Sequence, residues 1–542
     1  MDNINNITEI DKVMRRMSVR EKIGQTVMIN ETETREIEDL PSHFARYPVG
    51  GAFVGAEVIK DAVDSRSDVL ARVDVLARAA GGAALLFASD MENGCGSMIK
   101  GLTPFPHQMA LGATGSESLA YDYGKFTALE ARSVGVQWTF SPVADLNINQ
   151  FNPLTNIRSM SDDPGLATRL LVQVIKGMQD NGLAACAKHF PGDGMDYRDQ
   201  HLITTTNSLS RDEWLKLHGR VFKRLIDEGV YSIMTGHIAL PAFQNVSKDG
   251  RFLPATLSHE LCTTLLKGQL GFSGVIVSDA LVMGGFLKWF DRPQAFIECF
   301  KAGNDMLLWP DLSYFDAMER ALDSREITME RLDDAVKRIL TMKMKLKVKM
   351  QSPGGAMDRP VSASESEASR ALAQGVAEAS LTLWRDRRGL LPVPPSRASN
   401  VLVIAITPDD KTFEQFDVLK HALETRGSAV TLKRNVWLAE LDSIAGKYDL
   451  IIYAIERAPH RPMGPLNFWG GEAGGIWGAL SSGREKSVVV SFGSPYFCEE
   501  YFDAADVFVN AYSTTPATQE AFARALFGEI PFAGKSPVQL KV

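Results

Sequence analysis

Cysteine is scarce in this chain, with five thiols in 542 residues, at Cys95, Cys186, Cys262, Cys299 and Cys498. They are odd in number, far apart and in no metal-ligand spacing, which argues against a disulfide scaffold and against cysteine-bound zinc. Long apolar runs are missing too, and none approaches the ~18 residues of a membrane span. The first residues, MDNINNITEIDKVMRRM, lack the apolar core of a secretory signal. A reduced, cytoplasmic protein is the expectation. Nor is there an excess of positive charge. The net charge is -8, with both signs spread along the chain, which excludes nucleic acid and anionic membrane as expected partners. The one basic run, Lys343–Met350 (KMKLKVKM), is expected to end a helix, where it complements the dipole.

What is present is a rhythm. Up to about residue 350, short apolar runs alternate with longer amphipathic stretches. The runs predict strands at Gln25–Asn30, Gly50–Gly55, Ala84–Asp90, Val136–Asp145, Ala184–Phe190, Tyr231–His237, Gly274–Asp279 and Asp305–Pro310. Continuous apolar character suits parallel strands buried on both faces. Between them, stretches such as Leu215–Glu228 and Leu257–Leu270 carry apolar residues three and four apart and predict helices. Eight alternations indicate an α/β fold of the (β/α)8 barrel type over 1–350, with an open doubly wound sheet as the structural alternative. The stretch Gln351–Glu365 is rich in Pro, Gly and Ser and reads as a linker, followed by a helix from Ser366 to about Leu381. Together, 351–382 is read as linker and connecting helix. Further runs at Asn400–Ile406, Asp449–Ile455, Ser487–Phe492 and Val507–Ala511 predict a smaller α/β domain over 383–542, with a parallel sheet.

Several runs of the first domain end in a polar residue: Asp90, Asp145, Lys188–His189, His237 and Asp279. A buried strand has no packing reason to finish so, and in a barrel these ends converge on one face. Two segments carry the chemistry. In KHFPGDGMDYRDQH, Lys188–His201, the residues Asp199 and His201 are two apart, so both can point the same way in extended chain. A carboxylate beside an imidazole makes a positioned general acid/base. A solvated acidic loop is the bland alternative; a metal site fits neither calcium nor zinc spacing. In GVIVSDALVMGG, Gly274–Gly285, Asp279 ends a buried strand, where it could attack an anomeric carbon or simply cap the next helix. Ser278 lacks the elbow motif of a serine hydrolase.

These segments resemble glycoside hydrolase family 3, in its β-N-acetylglucosaminidase branch. Lys188–Gly194 with Asp199 and His201 matches one motif, and Gly274–Asp279 another. Weaker matches include Phe140–Asn147, Arg158–Ser159, Ile233–His237 and, near the C-terminus, Ser491–Tyr496. The resemblance implies a retaining exo-β-glycosidase with Asp279 as nucleophile and His201, polarised by Asp199, as acid/base. Asp90, Arg158, Lys188, His189 and His237 would bind the sugar. It implies no cofactor and no metal, and a small-molecule or oligosaccharide substrate such as a chitooligosaccharide or peptidoglycan fragment.

Three positions depart from that branch. Met98 stands where it has an arginine, Ala280 follows the nucleophile in place of an aspartate, and Gln200 separates the dyad residues. Met98 leaves open a different β-hexoside, such as a β-glucoside, and a dyad that repels phosphate less than a carboxylate does leaves open phosphorolysis instead of hydrolysis. A catalytically silent sugar-binding protein stays open too, against which the intact Asp279, Asp199 and His201 argue. In the second domain, Asn467–Gly478 (NFWGGEAGGIWG) reads as a turn-rich loop. It could stack on sugars through its aromatics or supply Glu472 as a rival acid.

Overall fold

Each of the eight apolar runs yields a strand shorter than itself: β1 Val27–Asn30, β2 Gly51–Phe53, β3 Leu86–Ser89, β4 Trp138–Thr139, β5 Cys186–Phe190, β6 Ser232–Thr235, β7 Val275–Ser278 and β8 Leu307–Leu308. The structure is a computed structural model and describes residues 2–55, 64–81, 84–348, 362–459 and 462–540. All the pairings among these strands are parallel. One sheet runs β8-β1-β2-β3-β4, the other β7-β6-β5. Isolated parallel bridges, Trp138 to Ala184 and Val277 to Met306, link the two sheets at both ends. Parallel neighbours need crossovers, and helices such as Arg66–Ala79, Glu117–Arg132, Pro164–Asp180 and Arg292–Ala302 supply them. β5 and β7 are buried along their whole length, as strands covered on both faces must be. Because all eight strands run the same way, Asp90, His237 and Asp279, each one or two residues past a strand, leave at the same end of the sheets, and Asp145 follows β4 by six residues.

Several local expectations are corrected. Pairing in Val136–Asp145 is confined to Trp138–Thr139 plus a bridge at Val143, because Pro142 has no N–H to donate. The helix expected over Leu215–Glu228 is two helices, Arg211–Lys216 and His218–Asp227, broken at Leu217 with φ -104° and ψ -101°. Leu257–Leu270 is wound mostly as a ten-residue π-helix, Glu260–Gln269. The basic run does end a helix, Met329–Lys345, but Lys343 turns inward. Its ammonium is fully buried, donates to Gln25 Oε1 and the Ala84 carbonyl, both at 2.6 Å, and is pushed by burial down to about 7. Residues 349–350 of that run, and 351–361 of the expected linker, lie outside the described residues.

Helix Ala363–Ser380, which starts earlier than expected, opens on a capping box between Ser362 and Glu365. The second unit is a six-stranded sheet of β9 Thr382–Asp386, β10 Asn400–Ile406, β11 Ala429–Arg434, β12 Leu450–Ile455, β13 Ser487–Ser491 and β14 Val507–Asn510, in the order β9-β14-β13-β12-β10-β11. It is not wholly parallel, since the edge strand β9 pairs antiparallel with β14. Separate apolar clusters cover its two faces. The two units meet through an apolar cluster that includes Met109, Ile157, Ala458 and Tyr496. Around it, Asn147 Nδ2 donates to Tyr496 Oη (2.9 Å), Asn156 Nδ2 to Ser494 Oγ (3.2 Å) and Gln150 Nε2 to Glu500 Oε1 (3.0 Å). No described helix is long and apolar enough to cross a membrane.

Candidate active site

Asp279 follows β7, and the main chain holds it on both sides. Its own N–H donates to Thr235 O at 2.9 Å, and the Ala280 N–H donates to its Oδ1 at 2.8 Å. Its Oδ2 lies 4.0 Å from His189 Nε2. Burial raises the carboxyl, but the imidazoles of His189, His237 and His201 outweigh it, and the net shift is downward. Asp279 is therefore an anion at neutral pH, partly open and facing three rings.

The dyad is as local as its spacing suggests. Asp199 Oδ1 accepts both the His201 backbone N–H (2.8 Å) and the ring Nδ1 (2.7 Å), which leaves Nε2 outward. The Asp199 side chain is 1% exposed, that of His201 35%. Burial opposes the Asp199 charge, yet the His201 contacts and two backbone N–H groups hold its carboxyl below the usual range. The loop is pinned to the loop that follows Asp279, since Gly284 N–H donates to the His201 carbonyl at 2.8 Å. Only glycine fits there, because a Cβ on Gly284 would lie 2.4 Å from Leu202 O. Gln200, the unusual spacer, is buried, and its Oε1 accepts the His237 N–H at 2.7 Å.

A second cluster lies beside the first. Lys188 Nζ bridges Asp90 Oδ1 (2.7 Å) and Glu92 Oε1 (2.6 Å), and Arg158 grips Glu92 with two parallel bonds of 2.8 and 2.7 Å. Glu92 is held well below its ordinary value, because the charges of Arg158 and Lys188 outweigh burial. Asp90, at 35% side-chain exposure, is the open member. His189 Nδ1 faces Asp145 Oδ2 at 2.7 Å, leaving Nε2 toward Asp279. Lys188, His189, Asp90 and Arg158 are thus brought into one network with Asp279.

His237 departs from expectation. It is fully buried, with Nδ1 at 3.0 Å from Thr256 Oγ1 and Nε2 at 3.0 Å from Ala280 O. Neither nitrogen is left for a sugar hydroxyl, so the ring braces the loop that carries Asp279 and Ala280. Glu92 and Asp145 join the site although neither is among the residues expected to bind the sugar; in the sequence Asp145 stands out only as the polar end of an apolar run, and Glu92 only as an acidic residue two positions after Asp90. Glu472 is buried in the second unit opposite Arg457 at 3.6 Å, and its charged neighbours Arg457, Glu456 and Arg434 all belong to that unit. Gly471–Ser481 is helix, not loop, and Phe468 packs on Phe497 and Tyr501. Met98 is part of the hydrophobic core of the first unit. No group of three His, Cys, Asp or Glu residues that could hold a metal gathers among the described residues.

Beneath the site, Asp193 N–H donates to Asp145 Oδ1 at 2.7 Å. Burial first, then the Asp145 charge, push the Asp193 carboxyl from 3.8 up to about 7. Between those values the folded chain holds a proton that the unfolded chain has lost, so this group's contribution falls as pH rises through that window. Asp193→Asn is expected to melt like wild type near about pH 4 and to be more stable at about pH 8, by on the order of 1–3 kcal/mol. Melting curves across that range check it; a difference that does not grow with pH contradicts it.

The family model described as "Glycosyl hydrolase family 3 N terminal domain" matches residues 18–342. A Cellulomonas fimi protein described as β-N-acetylglucosaminidase/β-glucosidase is 32% identical over 550 residues, 96% of this chain and 94% of its own length. A solved β-glucoside phosphorylase, BglX, superposes with a TM-score of 0.85 at 28% identity, over 99% of this chain and 96% of its own. A family 3 β-N-acetylglucosaminidase from Paenibacillus sp. str. FPU-7 does so with a TM-score of 0.83 at 26% identity, over 97% and 99%.

Proposed function

This chain belongs to glycosyl hydrolase family 3 and is a glycoside hydrolase acting on O-glycosyl bonds, and from that premise we propose that it is a retaining exo-β-glycosidase removing terminal β-linked N-acetylglucosamine. The eight parallel strands are read as a closed (β/α)8 barrel over 1–350, joined through 351–382 to an α/β domain over 383–542. The observation that carries the proposal is the meeting of an ionised, partly buried Asp279 with a His201–Asp199 dyad pinned to the same loop system.

In the first step, an Asp279 oxygen attacks the anomeric carbon as the bond to the leaving oxygen breaks. His201 Nε2–H donates its proton to that oxygen, and Asp199 stabilises the imidazolium beforehand. In the second, the neutral His201 takes a proton from water, whose oxygen attacks the anomeric carbon and releases Asp279. Two inversions return the original configuration. Asp90, the ammonium of Lys188, the Arg158 guanidinium and His189 Nε2 are the polar groups offered to the sugar. His237 holds the nucleophile's loop. The N-acetylglucosamine reading draws support from the full-length likeness to the Cellulomonas fimi protein; the glucoside alternative draws on the same description.

A panel of aryl β-glycosides tests it. Aryl β-N-acetylglucosaminide is expected to turn over with kcat/KM at least about tenfold above the aryl β-glucoside, within what one substituent contact provides. Equal or reversed preference rejects that sugar. A second reading, phosphorolysis, is favoured by the full-length similarity to the β-glucoside phosphorylase and by an acid/base that is not a carboxylate and repels phosphate less. Sugar 1-phosphate appearing on addition of phosphate would establish it.

A further inference from the structure

The second unit touches the acid/base dyad itself. Asp199 Oδ1 is taken by His201, and its Oδ2 accepts the backbone N–H of Met463 at 2.9 Å, from a residue 264 positions away. No other hydrogen bond to Oδ2 exists among the described residues. Around Met463 the chain is anchored in the second unit. Ala458 sits in the apolar cluster shared by the two units. Downstream, Arg457 Nε donates to Asn467 O at 3.1 Å, and Phe468 packs on Phe497 with ring centroids 4.7 Å apart. Pro462 and Pro465 flank the contact and stiffen it.

We propose that Met463 is a positioning residue of the acid/base: its main-chain N–H, delivered from the second unit, completes the hydrogen bonding of the buried Asp199 carboxylate and so fixes the plane in which that carboxylate holds His201. This rests on the retaining mechanism proposed above. A buried carboxylate with an idle oxygen rotates or draws in water. Either lets the His201 ring swing, and a misplaced acid lowers kcat/KM only where protonation of the leaving group matters. The second unit is thereby part of the site without lending it a side chain. His201 is faced by Asp199 on its own loop and by Asp279 and His237 from neighbouring strands. Among the described residues, Met463 N–H has its hydrogen bond to Asp199, not to Asp279 or His237.

The test compares the full chain with Met463→Pro, which deletes the N–H, and Met463→Ala, which keeps it. With a poor leaving group such as an alkyl β-glycoside, Met463→Pro is expected to lower kcat/KM by about 10–100-fold. With a dinitrophenyl leaving group, which needs no acid, the loss should be under about threefold. Met463→Ala should match wild type on both. In an Asp199→Ala background the Pro substitution should add almost nothing, because the two act through one bond. Equal losses on both leaving groups, an unchanged Met463→Pro, or full additivity with Asp199→Ala would each overturn the proposal. If Met463→Pro does not fold, Pro462→Gly combined with Pro465→Gly keeps the N–H but loosens its seat. That double variant should show the same leaving-group dependence at smaller size, and wild-type behaviour there overturns the proposal. A His201→Ala enzyme without leaving-group dependence would instead sink the dyad assignment itself, so the two failures are separable.

Discussion

Asp279→Asn is expected to lose activity by on the order of 10³–10⁵-fold on every aryl glycoside while keeping its fold, because the attacking group itself is removed. The amide keeps an oxygen for the Ala280 N–H. What disappears is the negative charge that three imidazoles face. Melting temperature at neutral pH should hold or fall modestly, since the anion that the three imidazoles favour in the folded chain is lost. Asp279→Gly sharpens the test. Added azide should enter the vacated side and yield a glycosyl azide of configuration opposite to the substrate, as one displacement inverts where two retain. Full activity in either variant would refute Asp279 as nucleophile.

The second large effect concerns His201. His201→Ala should lower kcat/KM by about 10²–10⁴-fold for poor leaving groups and little for dinitrophenyl glycosides, whose departing phenolate needs no proton. Breakdown of the glycosyl-enzyme still needs a base, so kcat on the activated substrate should fall and be restored by azide, here with retained configuration. Asp199→Asn should show the same dependence at smaller size, because it leaves the ring in place but removes the charge that stabilises the imidazolium. A loss independent of the leaving group would assign His201 to binding.

The difference between what could be read beforehand and what could not is one of distance along the chain. Asp199 and His201 are two residues apart, and Asp279 ends an apolar run, so residue type and spacing expose them. The strand series is legible for the same reason, since apolar runs are local. The cluster around Lys188 is not. Asp90 is 98 residues from it, and Arg158 is 66 residues from Glu92. An acidic residue in a Gly-containing turn, such as Glu92, looks like any surface carboxylate until the fold brings two cations to it. His237 misleads in the opposite sense. A polar strand end suggested a substrate contact, but Thr256 and Ala280 consume both nitrogens. The π winding of Glu260–Gln269 leaves no mark, because over ten residues apolar spacing does not separate the helical pitches. Met463 could not be found at all, since a main-chain donor is common to every residue but proline.

The most direct measurement is to trap the intermediate with an activated fluorinated β-glycosyl fluoride and map the labelled peptide by mass spectrometry. One sugar per chain, on a peptide ending the run Gly274–Asp279 and fragmenting at Asp279, is the expected result. A label on another carboxylate, or no label together with an inverted product, would contradict a retaining mechanism through Asp279.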